Sequence, residues 1–401
     1  MNILIIDEEF PYPLNSGKNI RNFNLARHLA KSNRVYYLAY GRDESDGFRF
    51  MASAGMTPIA VDEIDRKQTG PAFYLKLLMN IFSPRPYIVT SHYSARFESK
   101  LVDLLKETGF DILAAQWTPY ALFMKNIKNV KKILLTQNIE SAIWQRYYEN
   151  ESNPLRRWYI NLQRKKIDNF ERQCLTWVNG ATAVSESEAT TLKELNKNCP
   201  VEIIENGVDI EYFSPKQTEV DPNLLTFTGS MDWRPNQDAV LYFVQEIFPL
   251  LKNINPRVKT LIVGRTPPEK IKTLSRIDGI EVTGTVDDVR PYIARAALYI
   301  VPLRIGGGSR LKILEAMAMK KPVVSTTIGA EGLYVGDGEN IILADNPHYF
   351  AEACAGALRD REASAALAEN GFNLVHQRYS WNTIGDRLQD FFNMVLTGKT
   401  V

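Results

Sequence analysis

Short apolar runs alternate with longer segments of helical periodicity along the chain, the pattern of repeated β-α units around a parallel sheet. In the first half the runs predict strands at Ile3–Ile6, Val35–Ala39, Ile112–Ala115, Ile133–Thr136, Ala181–Val184 and Val201–Ile204, with helices such as Asn19–Lys31 and Ser94–Thr108 between them. A second series follows at Leu224–Thr228, Thr260–Val263, Ile280–Val282, Leu298–Val301, Pro322–Ser325 and Ile341–Leu343. Between the two lies Asn206–Asn223 (NGVDIEYFSPKQTEVDPN), whose glycine, two prolines and scattered acids read as a linker. Each half is then expected to be a doubly wound α/β domain, with ligands at the carboxyl-edge loops. No apolar run approaches the roughly 18 residues of a membrane span.

The length of 401 residues fits two domains better than one core. With 45% hydrophobic and 23% charged residues, the chain can bury a sizeable interior. A formal charge of +2 offers no strong field for a polyanion, so nucleic acid is not an expected partner. Cys174, Cys199 and Cys354 lie far apart without a CxxC pair, which fits a reducing compartment. The start MNILIID runs into Asp7, Glu8 and Glu9 without a basic leader, so a cytoplasmic protein is expected.

One charge feature stands out. Between Asn153 and Ile167, Arg156, Arg157, Arg164, Lys165 and Lys166 occur without an acid, interleaved with Leu155, Trp158, Tyr159, Ile160 and Leu162. Such a basic amphipathic helix can lie on an anionic membrane surface, or it can be a connecting helix that packs Trp158 and Leu162 on its own domain. The clustered acids Asp62–Asp65 and Asp287–Asp288 have simpler readings as a polar loop and a helix start, so no metal site is expected. His28, His92, His348 and His376 show no HExxH spacing and read as helix or loop residues.

The most informative segment is Tyr299–Leu333, YIVPLRIGGGSRLKILEAMAMKKPVVSTTIGAEGL. A buried strand ends at Pro302, glycines follow at Gly306, Gly307 and Gly308, and a helix of good formers is expected from about Ser309 to Met319. Glycines at a strand-to-helix turn let backbone approach a ligand, and the helix N-terminus attracts an anion. Arg310 and Lys312 add cations where the helix dipole disfavours them, which makes sense if a diphosphate docks there. Glu315, on an apolar helix flank, can accept from vicinal hydroxyls as acids do for ribose; a solvated surface glutamate is the plainer alternative.

These residues resemble a family. The segment from Gly306 to Leu333, with TGSMDWRPNQDAVLYFVQEIFP at 228–249 and FPYPLNSGKNIRNFNLARHLA at 10–30, is similar to the retaining, nucleotide-sugar-dependent glycosyltransferases of the large bacterial family 4. The resemblance implies a GT-B fold of two Rossmann-like domains facing a central cleft: 1–205 on the acceptor side, 206–380 holding the donor, and a final helix within 381–401 packing back on the first. It implies transfer of a sugar from a nucleoside diphosphate to a glycan or lipid-linked hydroxyl, with no metal or other cofactor. Arg310, Lys312 and the Gly306–Ser309 amides would meet the leaving diphosphate, Glu315 the ribose, and Gly284 with Thr285 the base. Gly229 and Gly17 would approach the donor backbone to backbone, while Gln116, Gln137 and Asn138 would contact sugar or acceptor.

Three departures matter. Family members often carry a glutamate where Gly307 stands, an arginine and a lysine within the stretch from Gly229 to Pro235, and histidines where Gln116 and Gln137 stand. Amides can hydrogen-bond sugars but cannot act as acids or bases near neutrality. Two other classes therefore stay open: a GT-B sugar-nucleotide epimerase, against which the shortage of histidines argues, and a degenerate, non-catalytic binding partner.

Overall fold

The computed structural model describes residues 1–62, 70–305 and 310–398. The chain divides into two compact units, residues 1–205 joined by those from Ile384 on, and Asn206–Thr383. Among the described residues, unit 1 holds β1 (Asn2–Glu9), β2 (Arg34–Tyr40), β3 (Thr57–Val61), β4 (Ile112–Ala115), β5 (Lys131–Leu135), β6 (Gly180–Ala183) and β7 (Val201–Ile203). Unit 2 holds β8 (Asp221–Thr228), β9 (Lys259–Val263), β10 (Ile280–Gly284), β11 (Ala296–Val301), β12 (Val323–Ser325) and β13 (Ile342–Leu343).

Both sheets are parallel. The first runs β3-β2-β1-β4-β5-β6-β7 and the second β10-β9-β8-β11-β12-β13. Helices cover both faces, which is why β1 and β11 are near-continuous apolar runs instead of alternating ones. Strand order reverses between β1 and β4 in one sheet and between β8 and β11 in the other; at each reversal neighbouring loops diverge and leave a crevice at the carboxyl edge. The two cores are separate, one around Leu4, Leu113, Phe97 and Phe123, the other around Phe227, Ile262, Ile300 and Phe350.

The hydrophobic pattern missed β3. Its Pro58 argues against an interior strand, but β3 is the edge strand, where a missing N–H costs no ladder bond. The expected linker is also shorter and less free. Strand β8 begins at Asp221, and Val208 is buried in unit 2, its N–H bonded to Tyr379 O at 2.8 Å.

Beyond Thr383 the last helix, Trp381–Thr397, joins unit 1. Its Arg387 pairs with the buried Glu205 at 2.7 Å and Asp386 meets His28 at 2.9 Å. A Cβ on Gly385 would lie 2.1 Å from the His28 ring, so His28 serves packing.

A closer contact ties two loops of unit 2. A Cβ on Gly264, just after β9, would lie 1.9 Å from Gly229 O, just after β8. Gly264→Ala must therefore part these loops, and overpacking of this kind costs roughly 1–3 kcal/mol. Thermal unfolding should show a midpoint lower by several degrees; an unchanged midpoint would mean the loops separate freely.

Candidate active site

At the reversal in unit 2 the loop after β8 faces the segment after β11. The helix that follows β11 spans Leu311–Ala318, with Arg310 as its N-cap residue and no side chain capping it. It starts two residues later and ends one residue earlier than expected. Lys320, at φ 52°, takes the left-handed conformation just past its end, and Pro322 prevents continuation. The glycines Gly306, Gly307 and Gly308, with Ser309, lie outside the described residues.

Arg310 and Lys312 do not sit at an exposed helix start, as their position in the sequence implies. Arg310 is only 5% exposed and donates from Nη2 to Glu331 Oε2 at 3.2 Å. Glu331 is placed by the turn after β12, where Thr326 Oγ1 donates to Leu303 O at 2.5 Å and accepts from Gly329 N at 2.9 Å. Lys312 Nζ donates to Asn236 Oδ1 at 2.7 Å and lies 4.3 Å from the centre of the Phe227 ring, a cation–π contact. The side chains point inward because Lys312 reaches across the crevice to the helix Arg234–Tyr242, where Asn236 Nδ2 in turn holds Ser230 O at 2.8 Å.

Gly229 belongs to the same cluster. A Cβ there would lie 2.7 Å from Asn236 Nδ2 and 2.9 Å from Lys312 Nζ, so glycine makes room for the ammonium. Glu315, one helical turn beyond Lys312, is half-buried, and no described residue hydrogen-bonds its carboxylate. Burial pulls Lys312 down to about 7 and pushes Glu315 up to about 7, each opposed by the other's charge.

Gly284 and Thr285 are brought to the edge strand β10. Gly284 takes φ 75°, which favours glycine, and Thr285 Oγ1 accepts from Thr266 N at 3.3 Å in the loop after β9. That loop also carries Arg265, whose Nε donates to Ser230 Oγ at 2.7 Å. Arg265 and Asn236 escaped the sequence reading. Asn236 had a signal, a short amide in the first turn of a helix where it forms poorly; Arg265 had none, because its partner is 35 residues away.

In unit 1 the corresponding reversal lies between β1 and β4. Gly17 opens the helix Gly17–Ala30, capped by Ser16. Gln116 and Gln137 come together, Gln137 Nε2 donating to Gln116 O at 3.1 Å and to Asn22 Oδ1 at 2.9 Å. Asn22 Nδ2 donates to Asp7 Oδ2 at 2.8 Å, and Tyr37 donates to the same oxygen at 2.5 Å. Burial raises the Asp7 carboxyl above the usual range, against the pull of Lys18. The Gln116 side chain is 1% exposed and finds no partner among the described residues. Asn138 is exposed beside them.

One histidine changes the picture drawn from sequence. His92 ends the helix Tyr87–His92, and its Nε2 lies 3.1 Å from Glu8 Oε1 at the end of β1. Lys18 Nζ donates to Glu8 Oε2 at 2.8 Å, and Trp117 packs edge-on against the imidazole. Burial alone would raise Glu8, but the His92 hydrogen bond and Lys18 outweigh it and hold it at about 2. A histidine thus stands at this crevice, 84 residues from its partner, where spacing rules cannot find it. Among the acids weighed as metal ligands, Asp288 instead pairs with Arg290 at 2.8 Å, and Glu63–Asp65 lie outside the described residues.

Each reversal point leaves a crevice, the second lined by Arg310, Lys312 and Glu315, an arrangement of the doubly wound α/β class. Comparison with known proteins sharpens this. A family model described as Glycosyltransferase Family 4 matches residues 16–212, and one described as Glycosyl transferases group 1 matches residues 222–360. The chain belongs to this family and is a glycosyltransferase of the GT-B fold. A 44.6 kDa protein of the cps region of Klebsiella pneumoniae is 25% identical over 394 residues, covering 94% of this chain and 96% of its own. The phosphatidyl-myo-inositol mannosyltransferase of Mycobacterium leprae is 28% identical over 229 residues, 54% of this chain and 60% of the relative. Among solved structures, Anabaena HepE in complex with UDP and glucose matches with a TM-score of 0.66 at 14% identity, covering 98% of this chain and 99% of that one.

Anion binding beside Lys312 and Glu315 should depend on pH. Below about pH 7 the pair leans toward ammonium and neutral carboxyl, with net positive charge; above it, toward neutral amine and carboxylate. Between pH 7.5 and 9 the affinity for a fully ionised nucleoside diphosphate should therefore fall, by up to about tenfold per pH unit. Calorimetry checks this, with the parent nucleoside as a control that should show little slope. Lys312→Arg should flatten the fall, because a guanidinium keeps its charge.

Proposed function

We propose that the protein is a retaining glycosyltransferase that moves a sugar from a nucleoside diphosphate to a hydroxyl of a glycan or lipid-linked acceptor. The observation that carries this reading is the buried Arg310 and the half-buried Lys312 beside Glu315, whose carboxylate takes no hydrogen bond from a described residue, at the reversal point of the second sheet. Relatives named as mannosyltransferases and structural neighbours solved with UDP or UDP-glucose support a nucleotide-sugar donor. The basic stretch of the helix Pro154–Trp177 supports an acceptor met at the inner face of a membrane; among the described residues no helix is long and apolar enough to cross one.

In the reaction the bond between the sugar C1 and the diphosphate oxygen breaks, a bond from C1 to the acceptor oxygen forms, and the acceptor hydroxyl proton passes to the departing diphosphate. Negative charge grows on the diphosphate and positive charge on the sugar. Arg310 and Lys312 are fixed before the reaction begins, so they stabilise the departing diphosphate without reorganising. They supply the charge that a divalent cation supplies elsewhere, and no cofactor is assigned. Anion binding also restores the Lys312 charge that burial suppresses. Glu315 accepts from the ribose hydroxyls, and Gly284 and Thr285 meet the base. On the acceptor side, the exposed Asn138 and the half-buried Gln137 meet the sugar or acceptor, with the buried Gln116 standing behind them.

Lys312→Ala should lower turnover about 100- to 1,000-fold, the effect of removing one transition-state donor. Arg310→Ala should do the same and also lower the unfolding midpoint, because this side chain is buried. A nucleotide-sugar panel screened by thermal shift identifies the donor, and release of nucleoside diphosphate measures turnover; rates within a few-fold of wild type for both variants would remove the assignment.

Glu315 is tested by a double comparison. Wild type should bind a ribose nucleotide better than its 2′-deoxy analogue, since the carboxylate is otherwise left unpaired at a cost of about 1–3 kcal/mol. In Glu315→Gln the preference should shrink. An unchanged ratio by calorimetry would move the ribose elsewhere.

A further inference from the structure

The helix Pro71–Ile81 is apolar on both faces: Phe73, Leu77 and Ile81 are half-buried on its inner side, and a second apolar stripe faces outward. Tyr74, Leu78 and Phe82 follow at four-residue steps, and Leu75 and Met79 run beside them, so the five form one stripe along the helix and its C-cap. Every one of them is more than half exposed, and Phe82 reaches 87%. The residue this helix buries is Asn80. Its Nδ2 donates to Arg85 O at 3.1 Å and Thr90 Oγ1 at 3.2 Å, while its Oδ1 accepts from Gln163 Nε2 at 2.9 Å. A surface helix ordinarily carries polar and charged residues on its outer face.

The neighbouring charges are of one sign. From Gly70 to Phe97 the sequence has no acid and carries Lys76 and Arg85 on exposed positions. Alongside lies the stretch 154–166 of the helix Pro154–Trp177, with five bases and no acid, and with Leu155 and Trp158 exposed. The two helices are tied by Gln163 and by Lys166, whose Nζ caps Asn80 O at 2.6 Å and Ile81 O at 3.1 Å. Lys166 is thus spent on holding the apolar helix, and Arg164 turns to its own Asn161 and to Tyr148. Arg156 and Lys165 remain exposed, and Arg157 stacks on Tyr148 at 4.6 Å.

We propose that the outward stripe Tyr74, Leu75, Leu78, Met79 and Phe82, with the basic start of the helix Pro154–Trp177, enters the interface of an anionic lipid bilayer. An apolar stripe bordered by cations matches acyl chains below and anionic headgroups above. A second copy of the chain would oppose like charges across the contact. The proposal extends the membrane reading of the basic helix by naming the inserted element, and it stands apart from the donor site, which nucleotide binding tests separately.

Flotation of the full chain with vesicles of phosphatidylcholine, alone or with about one third phosphatidylglycerol, decides it. Wild type should bind the anionic vesicles and leave the neutral ones, with binding falling as salt rises. The triple variant Leu75→Ser, Leu78→Ser, Phe82→Ser should lose roughly tenfold or more in partitioning. Its unfolding midpoint should not drop, since the replaced side chains are exposed, and its nucleoside diphosphate affinity should not change. Arg156→Glu with Lys165→Glu should remove the salt-sensitive part. Equal vesicle binding by wild type and the serine variant would overturn the proposal. So would absence of binding to either vesicle, or a wild-type dimer by light scattering that the serine variant splits while vesicles bind neither protein.

Discussion

Lys312 carries a charge that has to be kept under the edge of a parallel sheet, and much of unit 2 is arranged to keep it there. The ammonium needs an acceptor, which Asn236 provides, and a face to lie on, which Phe227 provides. It needs space, and Gly229 has no side chain to take it. Asn236 can hold the lysine only because its other end is fixed to Ser230 O. The loop bearing Ser230 is in turn pressed on Gly264, so the loops after β8 and β9 pack directly on each other. Solvation lost in burial weakens the hold of Lys312 on its proton, against the pull of Glu315.

The first unit solves a related problem with neutral groups. Asp7 is fully buried at the end of β1, and hydrogen bonds from Tyr37, Asn22 and the Glu8 amide take the place of water. The chain of amides from Asn22 through Gln137 to the Gln116 backbone carries that order to the carboxyl edge, where the buried Gln116 side chain meets no partner among the described residues. A buried amide without a partner is costly.

Polar groups also fix the helix Pro71–Ile81. Asn80 turns inward, where Gln163, Thr90 and the Arg85 carbonyl offer it hydrogen bonds, on the face that also carries the half-buried Phe73, Leu77 and Ile81. A helix can present only one face to the core, so the second apolar stripe is left outward.

The strands were legible from the chain alone because a parallel strand covered on both faces is a short, nearly unbroken apolar run, and such runs survive reading without partners. The edge strand with Pro58 was not, since only its place in the sheet makes the proline harmless. The segment from Gly306 to Leu333 announced its anion chemistry through residue types and order, and Arg310, Lys312 and Glu315 were all named from it. Their burial was invisible, because it depends on Asn236, Phe227 and Glu331, which lie 21 to 85 residues away in sequence. His92 beside Glu8, Arg265 beside Ser230 and Asn80 beside Gln163 are likewise decided by strand order. Local spacing records what a residue can do, while parallel crossovers bring together residues far apart in the chain, and only the folded sheet states which of them meet.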